Sequence, residues 1–298
     1  MGRTVKLIVN GDDFGRAPSV NDAIVQAHCA GVLTSASLMV TGRAWREAVE
    51  LARQMPSLAV GLHVVVAGGG SVLGPGRLPH LVDGRGDFRG SPLAIGLRYA
   101  FSRTARAELA QELAAQFERF AQTGLVLSHV DGHLHMHMHP EVFERLLDLA
   151  EQYGAYGLRL PRDQLWLAVR YDARRLLVKA TWAGVFGLLS RRAQWRLTRR
   201  AGQTDPIRGA GSRRRLFVVD RVYGLMQTGR METGYVVQLL DRSPAATAEL
   251  YCHPATVALG EALGPNPRDL ATLLDPATRI ALERGGHQLT TYAELAEG

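Results

Sequence analysis

Short apolar runs alternate with helix-period segments along most of this chain, and that alternation limits the folds open to it. Val5–Asn10, Ser35–Thr41, Ala59–Val66 and Leu125–Asp131 read as strands. Helical patterns over Ser19–Ala30, Ala44–Gln54, Arg106–Gln122 and Pro140–Tyr153 follow them in turn. The first helix starts after Pro18 and stops at Gly31, and the third carries Leu109, Leu113, Phe117 and Phe120 at helical spacing. Leu158–Pro161, Leu216–Asp220 and Thr247–His253 are expected as later short strands, with Gly234–Asp241 helical before the last. Gly68–Gly90, rich in Gly and Pro, reads as a long surface loop of the lid or binding-loop kind, and Gly202–Arg215 as an irregular loop. Strands separated by helices pair in parallel through βαβ crossovers, and about seven of them make a barrel or an open doubly wound sheet.

The polar motifs favour the barrel, because they recur where strands end. Asp12 and Asp13, His63, Asp131 with His133, and His253 all sit at such exits. The carboxyl ends of barrel strands converge on one face, where active sites of this architecture lie. The expected fold is therefore α/β, an irregular (β/α) barrel forming a single domain over residues 1–298. A basic helical insertion is expected at about 165–215. A length of 298 residues with 46% hydrophobic and 21% charged residues fits one large globular domain rather than a disordered chain.

Five of the ten histidines fall between His129 and His139. Imidazole and carboxylate together are the usual ligands of a catalytic divalent metal. In this run every polar group from His129 to His139 occupies an odd position, so an extended backbone turns them to one face. If the chain curls toward Pro140, His133 and His137 become an i, i+4 pair instead. Either form converges imidazoles. The competing readings are a surface tract that picks up metal adventitiously and ordinary polar loop residues. Asp12 and Asp13 add adjacent carboxylates, which point opposite ways on a regular strand, so that one can bind metal while the other holds a water. Cys252 reads as a small buried residue, since a side chain next to His253 along a strand points away from it.

Composition narrows the partners. The formal charge is +7, and much of the excess lies between Leu165 and Arg200, where nine basic residues face the single acid Asp172. Trp166, Trp182, Phe186, Leu188, Leu189 and Trp195 are interleaved with them. That mixture suits contact with an anionic membrane surface better than nucleic acid, which does not need Val185, Phe186, Leu188 and Leu189 together. No apolar run is long enough to span a bilayer, and neither a signal peptide nor a myristoylation signal is read at the start. Two cysteines make no disulfide framework, so a cytoplasmic location, with peripheral membrane contact, is expected.

The blocks Asp12-Asp13-Phe14-Gly15, Thr34–Val40, Val60–His63, His129–His135 and Glu249–Pro254 occur in the order found in the YdjC-like carbohydrate deacetylases, which this chain resembles. Asn10-Gly11-Asp12-Asp13 and the Trp-containing basic segment are similar to the hopanoid-biosynthesis-associated, HpnK-type members. The resemblance implies a barrel and metal-dependent removal of an N-acetyl group from an amino sugar, here the N-acetylglucosamine of a hopanoid glycolipid. It implies Asp13, His63 and His133 as ligands of one divalent ion, Asp12 as general base and His253 as general acid. Arg159 falls in a segment similar to the family's substrate side, and Asp131, His135 and His137 are expected to bind substrate with it. Zinc is the first choice for two imidazoles and one carboxylate, while such a mixed site also admits magnesium, manganese or nickel.

Overall fold

The computed structural model describes residues 4–201 and 215–298. Its chain order is β1 (Lys6–Phe14), α1 (Pro18–Cys29), β2 (Ser35–Leu38), α2 (Trp45–Gln54), β3 (Ala59–Val64), α3 (Pro92–Phe101), α4 (Arg103–Ala121), β4 (His129–Gly132) and α5 (Pro140–Gln152). There follow β5 (Gly157–Leu158), α6 (Leu165–Tyr171), α7 (Leu176–Ala201), β6 (Arg221–Tyr223), α8 (Thr233–Arg242), β7 (Thr247–Cys252), α9 (Pro267–Leu274), α10 (Pro276–Arg284), β8 (Gln288–Leu289) and α11 (Tyr292–Glu297). The loop expected at Gly202–Arg215 and the start at Met1–Arg3 lie, Arg215 apart, outside the described residues.

Every strand pairing is parallel, in the order β5-β4-β3-β2-β1-β7-β6, with β8 added beside the start of β1. The sheet curls, and a single bridge joins its β5 edge to the segment that leads into β6. Leu158 N donates to the Phe217 carbonyl (3.0 Å), and Phe217 N donates to that of Tyr156 (2.8 Å). This is a barrel-like parallel α/β fold closed by one contact rather than a ladder. The strand expected at Leu216–Asp220 is replaced for a local reason. The segment leaves β5 after Phe217 and pairs with β7 only from Arg221, while Asp220 turns its carboxylate to Ala246 N and Thr247 N, both at 3.0 Å.

The helices pack as their periods require. Leu109, Leu113, Phe117 and Phe120 of α4 are all buried, each side chain contributing about 1.5–3 kcal/mol of burial. A second α4 row, Glu108, Glu112 and Gln116, is buried as well and holds backbone. Glu112 accepts from Val72 N (2.7 Å) and Leu73 N (3.0 Å), Glu108 from His80 N (3.1 Å), and Gln116 bonds both ends of Val65. The Gly68–Gly90 loop, with Leu78, Leu81 and Val82 wholly buried, is thereby fixed to the barrel wall. In the segment read as basic and amphipathic, α7 turns Ala193 and the partly buried Trp182, Phe186 and Leu189 to the core. No described helix is long and apolar enough to cross a membrane.

Candidate active site

The carboxyl ends of β1, β3, β4, β5 and β7 deliver one buried polar cluster. Ligand atoms of Asp13, His63 and His133 all lie within 4.8 Å of one another. His133 Nδ1 is 3.1 Å and His63 Nε2 3.5 Å from Asp13 Oδ1. Behind them His63 Nδ1 donates to Asp131 Oδ1 (2.7 Å), which fixes the ring and leaves Nε2 facing Asp13. Asp131 Oδ2 accepts from Ser37 Oγ (2.8 Å), and Ser37 also meets Asn10 Nδ2 (2.8 Å) and His129 Nε2 (3.0 Å). Gly61 is needed here, because a Cβ on it would lie 2.4 Å from the His129 ring.

Beneath the cluster runs Arg159, with no exposed surface. Its guanidinium takes both oxygens of Asp12 (2.8 Å each), Asp131 Oδ2 (2.7 Å) and Glu249 Oε1 (2.6 Å), and lies 4.7 Å under the Tyr251 ring. Tyr292, from α11, donates to Glu249 Oε2 (2.7 Å) and stacks on His129 at 5.0 Å. Across Asp12 stands His253, with Nε2 3.8 Å from Asp12 Oδ2 and its backbone N donating to Asp269 (2.9 Å).

Electrostatics follow from this packing. Burial opposes charge on Asp13, yet His133 and His63 outweigh it and hold the carboxyl well below its usual range. Burial likewise opposes charge on His63, but Asp131, Asp12 and Asp13 raise it to about 9. The three donors Asp13, His63 and His133 match a divalent ion that takes nitrogen and oxygen. For Arg159 the desolvation penalty is overcome by Asp12, Asp131 and Glu249, which hold its value well above normal. For Glu249 burial dominates, and the carboxyl titrates above its usual value despite Arg159.

The model of YdjC-like proteins matches residues 6–284. The chain belongs to the YdjC-like family. It is 32% identical to a carbohydrate deacetylase of Geobacillus stearothermophilus over 97% of each chain. Against one from Mus musculus it is 31% identical over 98% of this chain and 95% of the relative. A third, from Brevibacillus brevis, is 42% identical over 168 residues, 54% of this chain and 64% of that protein. An Enterococcus faecalis structure described as a cellobiose-phosphate cleavage protein shares the fold at TM-score 0.68, with 24% identity and 98% and 99% of the two chains covered.

In this YdjC-like chain the residues expected on the substrate side part company. Arg159, Asp131 and His137 are wholly buried, so they have no surface to offer a sugar. Arg159 and Asp131 support the cluster, and His137 Nε2 donates to the Arg159 carbonyl (3.0 Å). His135 is partly exposed, 2.9 Å from the Tyr251 hydroxyl and against Phe186 of α7 at 5.4 Å. His139 caps α5, accepting from Glu141 N (3.3 Å). Of the five clustered histidines only His133 joins Asp13 and His63. The run is extended to Gly132 and then curls, with Leu134 and His135 both at positive φ. Asp12 and Asp13 also depart from a regular strand. Asp13 has φ 65° and the β1–β2 register breaks between Gly11 and Phe14, so both carboxylates come within reach of His63. Sequence reasoning passed over Ser37, Glu249 and Tyr251. The signal for Glu249 and Tyr251 was their alternation with His253, which points polar side chains to one face along β7 and its exit; Ser37 on β2 carried no such signal. Cys252, on the opposite face, is buried and free.

Proposed function

We propose that this chain hydrolyses the N-acetyl group of an amino sugar, with one divalent ion held by Asp13, His63 and His133. The observation that carries the reading is the pairing of that cluster with Asp12 and His253, which face each other at 3.8 Å beside it. The carbohydrate deacetylase relatives support the same reaction.

A bound ion would polarise the acetyl carbonyl and make a neighbouring water more acidic. Asp12 accepts the proton of the water that attacks the acetyl carbon. Arg159, bidentate to Asp12, fixes the carboxylate in position from below. As the C–N bond breaks, His253 Nε2 supplies a proton to the departing amine, leaving acetate and the free amino sugar. Acid–base help of this kind is worth about 10²–10⁴-fold. Zinc is the preferred ion for this donor set. The substrate we favour is an amino sugar carried on a lipid, a hopanoid N-acetylglucosamine by the resemblance above, reached in contact with an anionic membrane through α6 and α7.

A two-metal phosphoesterase is the rival on the same barrel. A second acidic group, Asp12, His63 and Asp131, exists, but it shares His63 with the first and both its carboxylates are already engaged in ion pairs with Arg159. One ion is favoured. The test is acetate release from N-acetylated sugars and glycolipids with and without chelator, alongside metal content. Asp13→Ala, His63→Ala and His133→Ala should each bind well under one ion. Asp12→Asn and His253→Ala should keep the ion and lose most of kcat. Two tightly bound ions, or unchanged turnover in Asp12→Asn, would defeat the reading.

A further inference from the structure

A second basic amphipathic helix stands on the other flank of the catalytic turn. Helix α3 exposes Leu93 (74%), Leu97 (52%) and Phe101 (83%), which at i, i+4 and i+8 form one stripe, while Ile95 and Tyr99 face the core. Across residues 88–107 there are four arginines (Arg89, Arg98, Arg103, Arg106) and no acid. Helix α7 repeats the pattern on its outer face, where Val185 (49%), Leu188 (69%) and Trp195 (50%) line up with the exposed Arg192 and Arg199. Both helices pack against the His133–Met138 turn. On one flank Gly96 of α3 lies against His139; on the other, Phe186 of α7 meets the His135 ring. The two helices that carry the stripes therefore border the turn that carries His133, and Leu134 of that turn is itself 48% exposed.

Contiguous apolar stripes of this kind mark an interaction surface. Charge selects the occupant. A second copy of a chain with net charge +7 would bring arginines against arginines. A nucleic acid would use the arginines and leave the outermost leucines and Phe101 in water. An anionic bilayer uses both: phosphates take the guanidinium groups, and the apolar tips enter the headgroup–acyl boundary.

We infer that α3 and α7 together seat the mouth of the site on an anionic lipid surface. This gives the lipid-carried substrate proposed above its route to His133. It rests on that reading only for what is delivered, because the seating itself is a binding property.

Flotation of the full-length protein with vesicles tests it. Mixed phosphatidylcholine and phosphatidylglycerol vesicles should bind the protein at least about tenfold better than phosphatidylcholine alone, and rising salt should weaken but not abolish binding. Replacing Leu93, Leu97 and Phe101 together by Ser should lower partitioning by about a hundredfold or more. Arg89→Gln with Arg103→Gln, a milder surface change, should lower it about 25-fold, roughly fivefold per charge. Both variants should release acetate from a water-soluble N-acetyl sugar at the wild-type rate, which also reports that they fold. Wild-type protein that ignores anionic vesicles while deacetylating the soluble sugar overturns the inference and leaves the deacetylase reading standing. Vesicle binding without any deacetylation does the reverse. Binding unaffected by the α3 changes removes α3 from the surface. A wild-type dimer that the Leu93, Leu97 and Phe101 changes disperse would assign the stripe to a second copy instead.

Discussion

Arg159→Met should be among the most damaging single changes in the barrel, and its cost follows from the contacts. The guanidinium has no exposed surface and serves Asp12, Asp131 and Glu249, all essentially buried. Taking away one partner of a buried ion pair costs about 3–5 kcal/mol, because the charge left behind has neither water nor counter-ion. Unfolding entropy of roughly 2 cal/mol/K per residue gives about 0.6 kcal/mol/K for this chain, so Tm should fall by about 5–8 °C. Arg159→Lys keeps a charge but loses the fork that spans three carboxylates, and should lose less. The loss must also depend on pH. With Arg159 and His63 beside it, and despite burial, the Asp131 carboxyl titrates well below its usual range. Such a group stabilises the fold above its unfolded value, near 3.9, and stops doing so as pH falls through the folded value. The gap between wild type and Arg159→Met should therefore be widest near pH 7 and narrow below about pH 4. Scanning calorimetry across that range, with equal metal loading, measures it. A Tm within about 1 °C of wild type at pH 7 would refute the claim that Arg159 clamps the site.

Three further outcomes are expected. His129 and His137 are buried, and desolvation lowers each to about 4. A histidine held neutral in this way supports the fold fully above its unfolded value near 6.5 and loses that support as pH falls toward 4. Urea midpoints should drop across this window, and His129→Gln should remove about one proton from the uptake on unfolding; an unchanged slope counts against it. Gly157→Ala places a Cβ 1.9 Å from the Tyr292 ring and should cost about 1–3 kcal/mol in chemical denaturation, with Tyr292→Ala relieving part of it. Glu112→Ala strips the acceptor from Val72 N and Leu73 N, so the Gly68–Gly90 loop should become faster to cut by limited proteolysis, while equal cutting rates would show the loop is held otherwise.

The elements legible in the sequence were those with a clean period. β1 to β4 and α1, α2, α4 and α5 lie within a few residues of their expected places, because each apolar face meets one core. Helix α3 was missed because Leu93, Leu97 and Phe101 blur its buried face with a second, exposed one, and Gly90 and Pro92 look like loop. No element was read after His253. Yet α11 supplies Tyr292, which closes the floor of the site 43 residues from the Glu249 it holds. Such closure depends on contacts between distant segments, which local period does not carry.

The site was legible as convergence and illegible as a hierarchy. Polar residues at strand exits announced that Asp12, Asp13, His63, His133 and His253 would meet. What each does depends on two departures from local rules. A regular strand would have turned Asp12 and Asp13 to opposite faces; the positive φ at Asp13, a conformation Asp tolerates better than most residues, brings both to His63. Consecutive left-handed residues at Leu134 and His135 similarly cost roughly 1–2 kcal/mol each, and they break a histidine run that would otherwise have presented one uniform face. The break spends His135, His137 and His139 on Tyr251, on the Arg159 carbonyl and on the cap of α5. Density of histidine therefore does not set ligand number, while a single arginine between two leucines is a sharper clue to the buried network. Arg159 in Leu158-Arg159-Leu160 and Glu249 in Ala248-Glu249-Leu250 are each a charge inside an apolar strand, and a buried charge requires a partner. Their meeting across 90 residues fixes Asp12 and Asp131, and through Asp131 the ring of His63.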